Sequence, residues 1–257
     1  MRAAEFSDCD LTRNDFLGGR LRILQPRQGY RAGVDPVLLA AGVPATPGQS
    51  VLDMGCGAGV AALCLGARVP GLQLAGLEVQ PAYAALARRN AEANGLPLDV
   101  VLGDLARMPA ALKARQFDHV IANPPYFDRQ SSTAATDAGR ETALGEGVAL
   151  SDWVAQAAKR CAPGGHVTII QRAVRVPELL SAAARHLGSL ELLPLIPRKG
   201  REARLVLLRA RKGGRAAFRL HDGWVLHEGM AHDGDRENYT MATAEILRSG
   251  RPLPFPA

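Results

Sequence analysis

Four consecutive residues, Asn123-Pro124-Pro125-Tyr126, combine groups suited to chemistry on a planar amine. An exocyclic amine on a purine, or an amide nitrogen, is a poor nucleophile because its lone pair is delocalised. If the Asn123 carboxamide oxygen and the Pro124 carbonyl each accept one N–H, the nitrogen pyramidalises and its lone pair turns toward an electrophile. Alignment and preorganised acceptors then supply the catalysis, and no strong base is needed. Two prolines cannot continue a strand ladder and hold the backbone extended, so the asparagine is presented rigidly. Tyr126 offers a flat face to a planar ring, in the way flipped bases are held between aromatic side chains. In isolation the same residues read equally well as an Asn-Pro turn with a buried aromatic, so the surrounding elements have to decide.

Those elements alternate. Strands are expected at Ser50 to Met54, Leu72 to Leu77, Leu98 to Leu102, His119 to Ala122, Val167 to Gln171, Leu190 to Ile196 and Arg204 to Leu208. Helical spacing covers Gly59 to Ala67, Pro81 to Asn94, a stretch capped by Ser151 and running to about Cys161 before a break at Pro163-Gly164-Gly165, and Val176 to Leu187. Alternation of this kind implies parallel βαβ units with helices on both faces. The expectation is a doubly wound, Rossmann-like α/β sheet of seven mostly parallel strands over residues 50–212. Residues 1–49 form an N-terminal extension packing on the cofactor and substrate face, and residues 213–257 a C-terminal appendage holding a strand pair (Phe218 to Glu228) and a short helix capped at Asn238-Tyr239-Thr240.

The first strand runs into Asp53-Met54-Gly55-Cys56-Gly57-Ala58-Gly59. Alternate glycines let the chain turn sharply and bring its backbone close to a ligand, at the carboxyl edge where α/β sheets bind ligands. A dinucleotide fingerprint would read G-x-G-x-x-G; here the third glycine arrives one residue early. Glu78 ends the second strand and Asp104 follows the third, so three successive strands each deliver an acid to the same edge. The D-x-G-x-G-x-G pattern resembles motif I of class I methyltransferases. That resemblance implies S-adenosylmethionine as cofactor, its methionine end against Asp53, Gly55, Gly57 and Gly59, its ribose on Glu78 and its adenine at Asp104 and Leu105. The tetrapeptide resembles the [N/D]-P-P-[Y/F/W] motif of amino-methyltransferases acting on adenine N6, guanine N2 and glutamine N5. This implies Asn123, Pro124 and Tyr126 as the reacting segment, with Phe127 on the substrate side.

Two further segments bear on the substrate. Leu17-Gly18-Gly19-Arg20-Leu21, Gln25-Pro26, Gly29 to Asp35 and Leu38 to Ala41, together with Asn123 to Phe127, resemble bacterial tRNA1(Val) (adenine-N6)-methyltransferases, which modify the adenine beside the anticodon. The resemblance runs from about Asp15 to Arg211. It implies tRNA as partner and places Tyr30, Arg31 and Asp35 beside the cofactor pocket. The second segment is basic: Arg198, Lys199, Arg201, Arg204, Arg209, Arg211, Lys212 and Arg215 stand against the single acid Glu202. A strand of alternating apolar and basic residues between glycine-rich loops suits a surface that tracks phosphates, with Arg198, Lys199 and Arg201 the substrate-side candidates.

Composition narrows the alternatives. The net charge of +6 fits a polyanionic partner. No window approaches the roughly 20 apolar residues of a bilayer span, and the first residues lack the apolar centre of a signal peptide, so a cytoplasmic protein is expected. Cys9, Cys56, Cys64 and Cys161 form no C-x-x-C pair, which argues against zinc and disulfides; the last three are expected inside the fold. Glutamine N5 methylation of a protein, guanine N2 methylation of rRNA, and a non-catalytic RNA-binding assembly factor on the same scaffold remain as other readings. A NAD-dependent enzyme is disfavoured by the glycine spacing.

Overall fold

The computed structural model describes residues 5–126, 148–229 and 238–255. Chain order is β1 (Leu11–Phe16), β2 (Leu21–Pro26), α1 (Asp35–Ala41), β3 (Ser50–Met54), α2 (Val60–Arg68), β4 (Gln73–Glu78), α3 (Pro81–Ala93), β5 (Leu98–Leu102), α4 (Ala110–Lys113) and β6 (Phe117–Ala122). It continues with α5 (Leu150–Arg160), β7 (Cys161–Arg172), α6 (Val176–Ala184), β8 (Gly188–Arg198), β9 (Leu205–Arg211), β10 (Arg219–Leu220), β11 (Trp224–His227) and α7 (Met241–Ser249).

The seven expected strands form one sheet in the order β5-β4-β3-β6-β7-β9-β8, all parallel except β9. Successive strand residues feed opposite faces. Val51, Leu74, Ile121 and Ile170 join the core beneath α1, α2 and α3, while Leu52, Ala75, Val120 and Ile169 join the one beneath α5 and α6. This is the doubly wound arrangement. The strand order reverses between β3 and β6, which opens a ligand crevice at their carboxyl ends. Cys56, Cys64 and Cys161 are buried as expected.

Several local expectations are corrected. Ser151 lies inside α5, whose N-cap is Ala149. Pro163-Gly164-Gly165 is an irregular stretch within β7, where the register against β6 shifts between Phe117 and His119, and the strand already begins at Cys161. Phe218 to Glu228 does not form a strand pair. β10 and β11 each run parallel to β8, at Glu191–Leu192 and at Leu195, Ile196 and Arg198, and bring the sheet to nine strands. Thr240 does cap α7, its side chain accepting from Thr243 N.

The N-terminal hairpin and the C-terminal helix meet on one face. β1 and β2 form a separate antiparallel hairpin. Arg20 between them donates to the Ser249 and Ala67 carbonyls, and Leu253 N reaches the Ala41 carbonyl. Gly18 sits so close to α7 that a Cβ there would come within 2.7 Å of the Arg248 carbonyl oxygen. The hairpin is fastened to α3 by two asparagines one helical turn apart. Asn90 accepts from Leu24 N and donates to Leu24 O, and Asn94 does the same at Arg22. Four helical residues rise about 6 Å and two strand residues about 6.8 Å, so the two carboxamides stand in for a neighbouring strand along β2.

Candidate active site at the carboxyl edge of the sheet

The register Met54↔Ala122 places Gly55 beside Asn123, so the glycine turn and the tetrapeptide face one another across the reversal of strand order. Gly55, Gly57 and Gly59 all have positive φ (70°, 53° and 84°), the region L side chains avoid. Their surroundings differ. Gly55 is exposed, and a Cβ there would meet the Trp153 indole at 2.6 Å. Gly57 N donates to Glu78 Oε2 at 2.9 Å. Gly59 is buried, and a Cβ would press on Leu98 and Ala87 at 3.2 and 3.4 Å. The third glycine therefore permits helix-to-sheet packing, while the first two line the crevice.

Asp53 and Glu78 are 3% and 5% exposed, and among the described residues neither forms an ion pair. Asp53 Oδ2 accepts from Ala62 N at 3.2 Å. Burial, with Glu78 nearby, pushes its carboxyl up to about 7. Burial also raises Glu78, against the backbone N–H groups of Gln80 and Gly57 that it accepts. Two desolvated carboxylates without a cation, beside an open glycine turn, fit a ligand carrying positive charge and hydroxyl donors. Asp104 lies further out, its side chain 31% exposed, accepting from Ala106 N and pairing with Arg107. Leu105 packs its side chain into the core.

On the other side, Tyr126 donates its hydroxyl to Asp35 Oδ2 at 2.5 Å. Asn123 Nδ2 lies 3.4 Å from the Tyr30 hydroxyl. The Tyr30 ring passes 3.8 Å from the position a Gly57 Cβ would take, and its phenol is pushed up to about 12 by desolvation and by Asp35 and Asp53. Arg31 turns away: its guanidinium donates to Thr12 Oγ1, the Pro26 carbonyl and Asn14 Oδ1 within the hairpin. Phe127 lies outside the described residues.

With this geometry in view, the sequence matches the methyltransferase small domain family over residues 33–192. The chain belongs to this family. A tRNA1(Val) (adenine(37)-N6)-methyltransferase of Porphyromonas gingivalis is 32% identical over 176 residues, 65% of this chain and 68% of that protein. Its namesake in Aeromonas hydrophila is 31% identical over 191 residues, 73% of this chain and 79% of that one. Among solved structures, a predicted O-methyltransferase from Agrobacterium tumefaciens aligns with a TM-score of 0.68 at 25% identity, over 85% of this chain and 98% of its own. A 16S rRNA N2 G1207 methyltransferase from T. thermophilus, solved with AdoMet and guanosine, shares the fold (TM-score 0.56, 20% identity, 79% of this chain and 50% of that one). The chain is an S-adenosylmethionine-dependent methyltransferase.

Within this methyltransferase the basic segment is not one surface. β9 is an interior strand between β7 and β8, and its six-residue advance separates the segment's ends by about 20 Å. Arg204 and the Lys199–Arg201 turn lie at the carboxyl edge with the site. Arg211, opposite His166, lies at the other edge. Arg209 is held by Glu191 and stacked on Phe255, and Arg198 donates to the Glu228 carbonyl, which leaves Lys199 and Arg201 as the exposed cations of the turn. Sequence reading missed Asn90 and Trp153, and also Val79, next to Glu78, and Leu102, two residues before Asp104, both apolar and about half exposed. Val79 directly follows Glu78, and an apolar residue just past a strand-end acid is a signal that could have been read; Leu52 and Met54, on either side of Asp53, are fully buried. No helix among the described residues is long and apolar enough to cross a membrane.

Proposed function

We propose that this methyltransferase modifies an exocyclic amine, N6 of the adenine beside the anticodon in tRNA. The observation that carries the reading is the placement of Asn123-Pro124-Pro125-Tyr126 directly opposite the glycine turn and its two unpaired buried acids. The relatives named as tRNA adenine-N6 enzymes support the choice of ring and of RNA.

Asp53, Gly55, Gly57, Glu78 and Asp104 would hold the cofactor. When bound, S-adenosylmethionine supplies an electrophilic methyl group. The chain's own part is to orient the nucleophile. The Asn123 carboxamide oxygen and the Pro124 carbonyl accept the two amine N–H groups, turn the nitrogen lone pair toward the crevice, and stabilise the positive charge that builds there. Tyr126 holds the ring by its face. Lys199 and Arg201, at the same edge, meet the RNA backbone.

Mass spectrometry of nucleosides from unmodified tRNA, incubated with the enzyme and isotopically labelled methyl donor, tests the reading. Labelled N6-methyladenosine is expected, with kcat for Asn123→Ala down about 10²–10³-fold. Label in N2-methylguanosine, in a ribose or in protein glutamine would redirect it, and full activity in Asn123→Ala would refute the mechanism.

A further inference from the structure

The resemblance implies Tyr30 and Asp35 beside the cofactor pocket, and each of their side chains also meets a residue of the tetrapeptide. Asp35 occupies the first turn of α1, and every residue after it in that helix is buried, so its carboxylate stands on a fixed platform. Tyr30 is fixed through its main chain: its carbonyl accepts the hydroxyl of Tyr83 on α3 at 3.0 Å. The first partner pair is the short Tyr126–Asp35 bond of 2.5 Å, the length of a charge-assisted O–H···O⁻ contact. The second is Asn123 Nδ2 with the Tyr30 hydroxyl, and among the described residues the Asn123 Oδ1 has no hydrogen-bond partner.

We propose that Asp35 is a positioning residue for methyl transfer: it clamps the Tyr126 hydroxyl and so fixes the ring that holds the substrate base, while Tyr30 holds the Asn123 carboxamide with its oxygen toward the amine. The inference rests on the reading of Asn123 to Tyr126 as the amine-activating segment. The segment before the sheet thereby sets both reacting side chains. Burial and the Asp35 charge raise the Tyr126 phenol, which keeps it protonated as the donor the clamp requires.

The test is a double-mutant cycle on Asp35→Ala and Tyr126→Phe, read by single-turnover methylation of a tRNA1(Val) transcript and by calorimetry of S-adenosylmethionine. Each single variant should lower the rate about 10- to 100-fold, the value of one hydrogen bond to a charged group. The double variant should be no slower than either, and cofactor affinity should not move. Asp35→Asn, which keeps an acceptor, should retain more activity than Asp35→Ala, and only when Tyr126 is present. A readout independent of turnover is ¹⁹F NMR of protein carrying 3-fluorotyrosine at its four tyrosines. The resonance lost in Tyr126→Phe should shift and narrow in Asp35→Ala and in Asp35→Asn. Multiplicative losses, weakened cofactor binding in Asp35→Ala, or an unmoved Tyr126 resonance would each overturn the clamp. Tyr126→Ala separates the two levels. If it too loses turnover while the cycle is multiplicative, only the clamp fails; if it keeps full turnover, the amine-activating reading fails and takes the clamp with it.

Discussion

Replacing Asn90 by alanine should cost far more than replacing Asn94, although both pin the same hairpin. Asn90 is 0% exposed and satisfies three backbone groups: Leu24 N at 2.8 Å, Leu24 O at 3.0 Å and Ala58 O at 3.0 Å. Asn90→Ala removes all three partners at a place where water cannot fully replace them. At about 1 kcal/mol for each orphaned group, the low end of the range for buried ones, the loss is about 3 kcal/mol. Asn94 also makes three bonds, to Arg22 N, Arg22 O and the Asn90 carbonyl. The two to Arg22 are exposed, so Asn94→Ala should cost under about 1 kcal/mol. Asn90→Asp should be at least as damaging as Asn90→Ala, because it points a second acceptor at two carbonyls. Urea unfolding with a shared m-value measures the difference, and hydrogen exchange at the Leu24 amide localises it. Since Ala58 belongs to the glycine turn, Asn90→Ala should also weaken S-adenosylmethionine binding while Asn94→Ala should not. Equal costs for the two variants would refute the argument, since hydrogen-bond count rather than burial would then decide.

Two other outcomes follow from the charges. Asp53, ordinarily near 3.8, is raised to about 7 by burial, so its proton is held more tightly in the folded state. Its contribution to stability is full below about pH 4 and disappears as pH rises through 7, a change of about 4 kcal/mol. The cationic cofactor favours the ionised form, so its stabilising effect on Tm should grow from pH 6 to pH 8. Comparison with Asp53→Asn isolates this from His119, whose value is lowered to about 4 by burial and by His166 and whose contribution is lost as pH falls below about 6.5; identical pH profiles for the two proteins would dismiss Asp53. Replacing Lys199 and Arg201 by alanine should shallow the log–log salt dependence of tRNA binding by about 1.5–2, while Arg209→Ala leaves the slope unchanged; the reverse pattern would place the RNA at the other edge.

What the sequence determined by itself was local. Gly55, Gly57 and Gly59 must turn where a strand meets a helix, Pro124 and Pro125 must stop β6, and each acid follows its own apolar run. In a parallel sheet these ends share one edge, so the position of the crevice was legible without coordinates. Relations between distant segments were not. A charge cluster that is continuous along the chain was divided because β9 carries it across the sheet, and Arg209 found Glu191 and Phe255 only there. Phe218 to Glu228 had the pattern of strands, but which edge they would pair with depended on β8 being open at its outer side. Asn90 and Asn94 look like ordinary polar positions of an amphipathic helix, and only the arrival of β2 makes them a substitute strand. Likewise nothing near Asp35 in sequence indicates Tyr126, 91 residues away. The contact exists because α1 packs against β6 and β7, and tertiary packing alone sets that distance.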